Sequence, residues 1–352
     1  MKMKITKAML LLDLCVLGVL IAVASQQIYG SWDAWAMWNT KAEFLVSGEW
    51  QRIFSPHLAW MHPDYPLLLP LIVAGGWSIF NTQSPLIPLI VAVLFSWSAY
   101  LLVKNWVGVW AGLLMVSLPA FLRWSGSQYA DIPLAVFLLL GISLLYQRKF
   151  LLSGFVFGLA IFTKNEGLMY FMLILMSFAY ASWRVHKKIP LKTIALLGAG
   201  TLPGIAAFAI VKYYAPQSEF LTNVPNILSS ISFQRILLIL KEFIREFLVW
   251  KEWVAFWIIA LLILIALRRR GRIDFWDTFF STLIPLCFAS YFLIYVSTPQ
   301  DVAWHIQTSF NRLLIQILPL VIVAVFIRIK RINTPDTPQD IHLDTHGGSR
   351  VA

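Results

Sequence analysis

Residues 8–45 read AMLLLDLCVLGVLIAVASQQIYGSWDAWAMWNTKAEFL, an apolar segment that runs directly into an aspartate and three tryptophans. The apolar part, residues 8–28, is long enough to cross the roughly 30 Å hydrocarbon core of a bilayer as a helix. Placing a carboxylate beside lipid costs free energy, so such a group usually contacts water, pairs with another residue or takes part in function. The stretch therefore predicts a membrane helix and raises the question of what Asp33 does at its end.

The composition extends this prediction to the whole chain. Of 352 residues, 59% are hydrophobic and 13% are charged, and long apolar runs recur from one end to the other. Such a pattern is typical of a polytopic α-helical membrane protein, because a soluble core could not bury so much apolar surface. Sixteen tryptophans and eleven tyrosines suit the membrane–water interface.

The formal net charge of +11 raises the alternative of a nucleic-acid partner. Its distribution argues against nucleic acid, because the basic residues cluster in short connections between apolar runs, as the positive-inside rule describes. The clusters are Lys2/Lys4/Lys7, Lys104, Arg148/Lys149, Arg184 to Lys192, Arg268 to Arg272 and Arg328 to Arg331.

Hydropathy predicts about ten spans, and alternation from a cytoplasmic N-terminus places every basic cluster inside. Both termini are then cytoplasmic, and short cytoplasmic loops indicate a prokaryotic plasma (inner) membrane with an external, periplasmic active face. The predicted spans are 8–28, 84–103, 105–122, 131–147, 150–163, 167–183, 190–214, 252–267, 276–297 and 312–328.

The N-terminus also resembles a signal peptide, with Ala22-Val23-Ala24 as a cleavage site. Asp13 inside the apolar stretch favours a retained first helix instead. Cys15 and Cys287 both lie in apolar runs, so the sequence implies no disulfide framework.

Residues 1–330 are predicted to form one transmembrane domain with two external segments. Residues 29–83 form a long external loop, in which 65–80 is a juxtamembrane helix too short to span. Residues 215–251 contain an amphipathic helix expected at the interface, which either guides an acceptor or serves as a structural collar. The polar tail 331–352 is expected to be disordered and cytoplasmic.

Asp33 is the first of several polar residues expected at the outer face. In a helix over 33–45, Trp35 and Trp38 share the side opposite Asp33. That face would rest on the membrane surface and turn the carboxylate away from lipid. The alternative is that Asp33 only caps the helix, since Asp is a favoured N-cap.

Four further polar stretches are expected at the same face, each with a simpler alternative. His62 binds a metal, donates to a substrate or is structural. Asp131 opens a span and is also a plausible N-cap. Lys164 and Glu166 interrupt an apolar hairpin and either act in a site or solvate a turn. Arg312 is a candidate to bind phosphate, because the guanidinium group matches phosphate geometry. The alternative is that Arg312, near a helix end, only extends its charged group to the membrane interface. The four stretches are MHPDYP (61–66), SGSQYADIP (125–133), FTKNEG (162–167) and HIQTSFNRLLIQILP (305–319).

The order of these motifs resembles the GT-C class of membrane glycosyltransferases. It is closest to the family of protein O-mannosyltransferases, the lipid A aminoarabinose transferase and their bacterial relatives. This chain has a lone Asp33 where the best-known members carry an Asp-Glu pair. The motifs that carry the resemblance are SWDAWAMWNTKAEF (31–44), HPDYPLLLPLI (62–72), SGSQYADIPLAVF (125–137), GLAIFTKNEG (158–167) and NRLLIQILPL (311–320).

The resemblance implies a GT-C-like fold and a polyprenyl-phosphate-linked sugar as donor. The acceptor is a lipid, a glycan or a protein. Asp33 is hypothesised to be the general base of an inverting displacement. Arg312 and Lys164 are the first candidates to stabilise the lipid phosphate, followed by Lys41 and His305, with His62 and Tyr65 as further binding residues.

Asp131 and Glu166 orient the sugar, hold the cations or bind a divalent metal, for which Asp33 is the third candidate ligand. The sequence establishes no cofactor, and this divalent metal is the one candidate. Two other functions remain open at this point. A lipid or sugar transporter or flippase would place polar residues near the middles of its spans. A non-catalytic membrane subunit would tolerate substitution of Asp33 and Asp131.

Overall fold

A computed structural model describes residues 7–217, 231–268 and 274–333, and in this part of the chain all regular structure is helical. The helices follow one another without strands. They are α1 (Lys7–Ser25), α2 (Thr40–Val46), α3 (Leu68–Ile79), α4 (Leu86–Val107), α5 (Val109–Ser117), α6 (Pro119–Ser125), α7 (Asp131–Tyr146), α8 (Phe150–Thr163), α9 (Glu166–His186), α10 (Leu191–Tyr214), α11 (Phe233–Phe247), α12 (Trp250–Trp253), α13 (Phe256–Arg268), α14 (Phe275–Val296) and α15 (Val302–Asn333).

Six of these helices, α1, α4, α9, α10, α14 and α15, are long and apolar enough to cross a membrane. This finding supports a multi-pass membrane protein, and the count of ten spans stays a prediction. One predicted span, 105–122, is broken into α5 and α6. Leu118 between them is extended, and Pro119 opens the second helix because its fixed φ suits a first helical position. Three other predicted spans correspond to shorter helices, α7, α8 and α13.

Helix α15 forms the centre of the bundle. In its most apolar stretch 78% of the residues are buried, against 17–44% in the other five long helices. It packs against α4, α7, α11, α13 and α14. The predicted span began at residue 312, but the helix begins at Val302, so Arg312 lies well inside it. The sequence placed Arg312 at the mouth of the span because the polar residues before it resemble a loop.

Helices α8 and α10 pack through glycines, and Gly154 and Gly158 lie four residues apart in α8, a spacing that suits close helix packing. A Cβ built on Gly154 would lie 2.2 Å from the Leu197 carbonyl oxygen, and one on Gly204 would lie 2.1 Å from that of Gly158. Neither position can accept a side chain without separating the two helices. This contact holds α8 and the α8–α9 turn in a fixed place.

An ion pair between α1 and the last turn of α4 explains Asp13. Lys104 Nζ lies 2.6 and 2.5 Å from the two carboxylate oxygens of Asp13, and Tyr100 donates to the same carboxylate at 3.0 Å. Lys104 was predicted to be a basic residue of a cytoplasmic connection. It is buried instead, because its ammonium joins α4 to α1.

The first long loop, residues 29–83, is mostly helical. Ala34–Asn39 form a π-helical turn that leads into α2, followed by two 3₁₀ helices, Trp50–Phe54 and Pro56–Met61, and then α3. The wider turn of the π-helix changes the direction in which the tryptophan side chains point, compared with the α-helix that was predicted. Trp38 is fully buried rather than resting on the membrane surface. The predicted juxtamembrane helix exists as α3, which packs on α2.

The predicted amphipathic helix of 215–251 is α11, and residues 218–230 lie outside the described residues. It rests on α15 and α14 through Ile239 and Phe243, and two glutamates of its expected polar face are buried there as well. Glu242 accepts from Gln307 at 3.2 Å, and Glu246 accepts from Asn311 at 2.9 Å. Of the tail, only residues up to Asn333 are described, and these continue α15.

Candidate active site

Five charged side chains from four separate segments form one continuous ionic chain. Arg312 Nη1 lies 2.5 Å from Asp33 Oδ2, and its Nε lies 3.1 Å from Asp131 Oδ2. Lys164 Nζ lies 2.9 Å from Asp131 Oδ1 and 2.8 Å from Glu166 Oε1. The order of contacts is therefore Asp33, Arg312, Asp131, Lys164, Glu166. Sequence reasoning expected these residues at one face, and the structure brings all five together.

The fold places each of these groups where a helix begins, breaks or crosses the centre. Asp131 is the first residue of α7, and Arg312 projects from the central helix α15. Lys164 is extended, with φ −156° and ψ 151°, in the short break between α8 and α9, and Glu166 opens α9. A break is needed here, since an uninterrupted helix would carry the lysine away from Asp131.

Asp33 is held in place by the loop between α6 and α7. Ser31 N donates to the Ser127 carbonyl at 3.1 Å, and the Tyr129 hydroxyl accepts from Asp33 N at 3.0 Å. Gln128 ties the two segments together, because its amide donates to the Ile28 carbonyl at 2.9 Å and accepts from Asn39 at 3.0 Å. This loop fixes Asp33 relative to Asp131. The sequence indicated that the loop lies at the same face, but it did not single out Gln128 or Tyr129.

Gly30 allows the close approach of these two segments. Its φ is +69°, and a Cβ at this position would lie 2.7 Å from the Ser127 carbonyl oxygen. Glycine adopts a positive φ at little steric cost. A substitution at this position would move the segment that carries Asp33.

Neither aspartate acts as a helix cap, although both were plausible caps. Asp33 precedes the π-helical turn, but its side chain accepts no capping hydrogen bond. The N-cap of α7 is Ala130, and the Asp131 side chain turns toward the two cations. The capping alternatives are therefore wrong for both residues.

The two aspartates differ in what surrounds their oxygens. Asp131 is 2% exposed, and its carboxylate receives Lys164, Arg312 and Gln316 Nε2, the last at 2.5 Å. The side chain of Asp33 is 21% exposed. Its Oδ1 forms no hydrogen bond with any described residue. Asp131 is thus saturated by donors, whereas Asp33 retains an accessible oxygen that can take a proton.

A buried hydrogen-bond chain supports Asp131 from behind. Tyr170 OH donates to Gln316 Oε1 at 2.7 Å, which leaves the amide nitrogen of Gln316 for Asp131. Tyr291 OH lies 2.5 Å from Tyr170 OH and 3.2 Å from the Leu313 carbonyl oxygen. Such networks orient the group at their end. Sequence reasoning missed them, since isolated tyrosines and a glutamine in apolar runs carry no pattern.

Tyr65 lies between two other rings beside the ionic chain. Its ring stacks on Trp38 at 5.9 Å between centroids and on His62 at 5.2 Å. Burial raises the pKa of Tyr65 well above its usual range, and the charge of nearby Glu166 acts in the same direction. Tyr65 therefore stays protonated. His62 is exposed and adopts a left-handed conformation with φ 49°.

Lys41 lies beneath this loop rather than in the ionic chain. It is 0% exposed, and its ammonium donates to the His62 carbonyl at 2.6 Å. Burial lowers the pKa of Lys41 to about 7, while the charge of Asp64 acts in the opposite direction. Lys41 therefore holds the turn that carries His62 and Tyr65, and it makes no ion pair with Asp33.

A further set of polar contacts connects the same turn to the α8–α9 break. Asp64 Oδ2 accepts from Asn165 Nδ2 at 2.9 Å and from Lys212 Nζ at 3.2 Å. Lys212 Nζ also donates to the Asp64 backbone carbonyl at 2.8 Å. These contacts join the loop 61–66 to α9 and to the end of α10.

His305 does not join the site. Its Nδ1 lies 2.8 Å from the Thr298 hydroxyl, and its ring packs edge-on against Tyr295. It lies on α15 seven residues before Arg312, on the part of the helix that the sequence had assigned to a loop. No contact connects it to the other predicted site residues within the described chain.

The described residues contain no group of three or more His, Cys, Asp or Glu side chains placed to hold a metal ion. Each of the three carboxylates predicted as metal ligands is bound by Arg312 or Lys164. The ionic chain contains two cations and three carboxylates, and each cation lies against two of the carboxylates. Asp33 Oδ1 and Arg312 Nη2 remain without a hydrogen-bond partner among the described residues.

The comparisons with known proteins relate this fold to one solved structure. No family model matches the sequence, and no curated protein matches it either. The structure resembles the crystal structure of ArnT from Cupriavidus metallidurans bound to undecaprenyl phosphate. ArnT is a GT-C aminoarabinose transferase.

The likeness has a TM-score of 0.57 at 16% sequence identity, and it covers 93% of this chain. The chain spans about three-fifths of ArnT, since 61% of that chain is matched. The chain therefore has an ArnT-like fold, in agreement with the GT-C-like fold expected from the motif order.

Proposed function

We propose that this protein is an inverting glycosyltransferase that moves a sugar from a polyprenyl-phosphate donor to an acceptor hydroxyl. The observation that carries the proposal is the ionic chain from Asp33 through Arg312 to Asp131 and Lys164. It combines an accessible carboxylate oxygen with two fixed cations, which are the groups that such a transfer needs. The likeness to ArnT, whose crystal structure holds undecaprenyl phosphate, supports a lipid-phosphate donor.

In the proposed step, the acceptor oxygen attacks the anomeric carbon of the sugar. Asp33 Oδ1 takes the hydroxyl proton as the new carbon–oxygen bond forms. The bond from the anomeric carbon to the phosphate oxygen breaks at the same time, and its electron pair leaves with the polyprenyl phosphate. A single displacement inverts the anomeric configuration. General base catalysis of this kind contributes about 10²–10⁴-fold.

Arg312 and Lys164 are proposed to stabilise the departing phosphate. Arg312 uses Nε and Nη1 to bind the two aspartates, and its Nη2 forms no hydrogen bond with a described residue. This third nitrogen is available for a phosphate oxygen, and guanidinium geometry suits such a contact. Lys164 is already oriented by Asp131 and Glu166. Preformed donors of this kind need no reorganisation during the reaction.

The chain is proposed to place this site at the external face of a prokaryotic plasma membrane, with both termini in the cytoplasm. The positive-inside distribution of the basic connections supports this orientation. Helix α1 ends at Ser25, eight residues before Asp33, so on this topology Asp33 lies beyond the outer end of the first span. A donor held in the bilayer can reach the site laterally, which makes a nucleotide-binding loop unnecessary.

The proposal is tested with purified protein and a panel of polyprenyl-phosphate sugars. We expect release or transfer of the labelled sugar from at least one donor, and a product with inverted anomeric configuration by NMR. Binding of bare polyprenyl phosphate should compete with the active donor. Absence of both binding and turnover across the panel would contradict the proposal.

A further inference from the structure

Two acceptor atoms beside the ionic chain are buried and have no hydrogen-bond partner in the described protein. They are Glu166 Oε2 and Asn165 Oδ1, on adjacent residues at the start of α9. A buried acceptor without a donor is costly, most of all on a carboxylate. Two such atoms next to each other at a candidate active site indicate a ligand that brings donors.

The orientation of both atoms is fixed by their neighbours. Glu166 Oε1 is bound by Lys164 at 2.8 Å, so Oε2 is the oxygen that remains. Asn165 Nδ2 donates to Asp64 Oδ2 at 2.9 Å. A carboxylate that binds Lys212 acts as an acceptor, so it requires the nitrogen of the Asn165 amide and turns Oδ1 elsewhere. The two oxygens are therefore presented as acceptors by ion pairs and hydrogen bonds that already exist.

The same atoms are coupled to the reacting groups. Lys164 bridges Glu166 to Asp131, and Arg312 bridges Asp131 to Asp33. Tyr65 lies near the same groups. Burial raises its pKa, the charges of Glu166 and Asp131 raise it further, and the charge of Arg312 lowers it. The pair of acceptors is thus part of one polar region with the proposed base, at its opposite end.

A second glutamate shows that an unpartnered oxygen alone does not make a site. Glu252 also has one oxygen, Oε2, buried without a partner, and its other oxygen pairs with Arg123. The Arg123 side chain is 58% exposed, however, and it belongs to no cluster with Asp33 or Asp131. Glu252 lacks the neighbouring acceptor and the connection to the ionic chain that distinguish Glu166.

We propose that Glu166 Oε2 and Asn165 Oδ1 bind two hydrogen-bond donors on neighbouring positions of the transferred sugar. This inference rests on the proposed function. Because both atoms only accept, they select a sugar whose groups at this edge are free hydroxyls. They discriminate against sugars that carry fluorine, ether or acyl groups there. Asp131 is left as the group that orients the cations, so the roles of Asp131 and Glu166 are separated.

The first test uses the wild-type protein and donor analogues, so that it does not depend on how a variant folds. Replacing one of the two hydroxyls by fluorine removes a donor and adds an acceptor of similar size. We expect donor binding to weaken about tenfold to hundredfold, the range for a lost hydrogen bond to a charged group. An amine at the same position should bind, since it also donates. Equal affinity for all single-position fluoro and deoxy analogues would overturn the inference.

The second test is Glu166→Gln, which replaces an acceptor oxygen by a donor nitrogen without changing shape. We expect weaker binding of the hydroxyl-bearing donor and partial recovery with the fluoro analogue. The matched control is Glu252→Gln, which makes the same atomic change at another cation-paired glutamate and should leave binding unchanged. If both variants bind every donor as the wild type does, the inference is wrong.

Binding of bare polyprenyl phosphate separates this inference from the proposed function. If Glu166→Gln binds the bare lipid phosphate normally but loses preference for the sugar-bearing donor, both stand. If the wild type binds bare lipid phosphate and sugar-bearing donors equally well, the acceptor pair makes no contribution and only the inference fails. If the wild type binds neither, the proposed function fails.

Discussion

Two buried ionic groups in this protein have similar residues and opposite arrangements. Asp13 in α1 has both oxygens bound by Lys104 and one also by Tyr100. In the candidate site, Asp33 Oδ1, Arg312 Nη2 and Glu166 Oε2 form no hydrogen bond with the described residues. The first group is closed and joins two helices. The second is held together by its ion pairs but keeps these atoms without a partner, and we propose that a substrate contacts them.

This difference separates a pair of charges that is satisfied by the protein itself from the charges that we propose to be functional. Intramembrane charges are often taken to mark a functional site. Asp13 and Lys104 show that such a pair can be satisfied completely by its own partners. The informative feature is therefore the presence of fixed but unsatisfied polar atoms in the same cluster, and it is found around Asp33 and Glu166.

The largest effect on stability is expected for Asp13→Asn. The variant leaves the Lys104 ammonium buried without its counter-ion, a change that costs about 3–5 kcal/mol in comparable cases. We expect a lower unfolding temperature in detergent and normal turnover by the fraction that folds. An unchanged unfolding temperature would show that the pair does not join α1 to α4.

Arg312→Lys is expected to have the next largest effect, on lipid-phosphate binding and turnover. A lysine keeps the charge but cannot bridge Asp33 and Asp131 while offering a third donor, because it lacks the planar fork. We expect weaker binding of polyprenyl phosphate and a turnover loss of about a hundredfold, on the order of one lost transition-state donor. Arg123→Lys is the control, because the exposed Arg123 pairs with Glu252 away from the ionic chain. Wild-type affinity and rate in Arg312→Lys would contradict the proposed role.

A smaller effect is expected from the chain behind Asp131. Tyr170→Phe removes the donor that orients Gln316, so Gln316 can rotate and release Asp131. We expect a several-fold lower kcat with an unchanged KM, since the lipid and sugar contacts remain. Tyr180→Phe on the exposed side of α9 serves as the control. A rise in KM alone would place Tyr170 in binding instead.

The lowered pKa of Lys41 makes the free energy of unfolding depend on pH, and it determines the sign of this dependence. Its pKa is about 7 in the fold and 10.5 in the unfolded chain, so between these values the unfolded state binds more protons. The contribution of Lys41 to stability is therefore greatest above pH 10.5 and is lost as the pH falls toward 7. Lys41→Met should reduce the rise of the free energy of unfolding with pH in this window. An identical pH slope in the variant would contradict the burial of this ammonium.

The smallest effect is expected at His305. Its contacts are with Thr298 and Tyr295, away from the ionic chain. We expect His305→Ala to bind bare polyprenyl phosphate within about twofold of wild type, because no lipid-phosphate contact is lost. A large loss of affinity would return His305 to the phosphate site.

Much of this fold and part of the site could be predicted from the sequence. Apolar runs gave the positions of most helices, because burial in lipid demands them regardless of partners. Asp33, Asp131, Lys164, Glu166 and Arg312 could be singled out because they are charged residues of an otherwise apolar chain that were all expected at one face, although each of them alone had a structural explanation. The break at Leu118 and the π-helical turn could not, since they depend on packing against distant segments.

The supporting residues were beyond sequence reasoning for a related reason. Gln128, Tyr129 and Gln316 are ordinary residues of loops and apolar helices, and their roles come only from contacts with residues about 90 or more positions away. Lys104 shows the reverse error, because a basic residue in a short connection was assigned to topology while its side chain turns inward. One sequence records which groups are charged but not which of them meet.

The most direct test compares sugar transfer by Asp33→Asn with that of wild type, at equal amounts of folded protein and with saturating donor. Asparagine keeps the shape and the contact with Arg312 but cannot take the proton from the acceptor. We expect transfer to fall by about 10²–10⁴-fold while binding of bare polyprenyl phosphate is retained. Transfer by Asp33→Asn at the wild-type rate would contradict the assignment of Asp33 as the base.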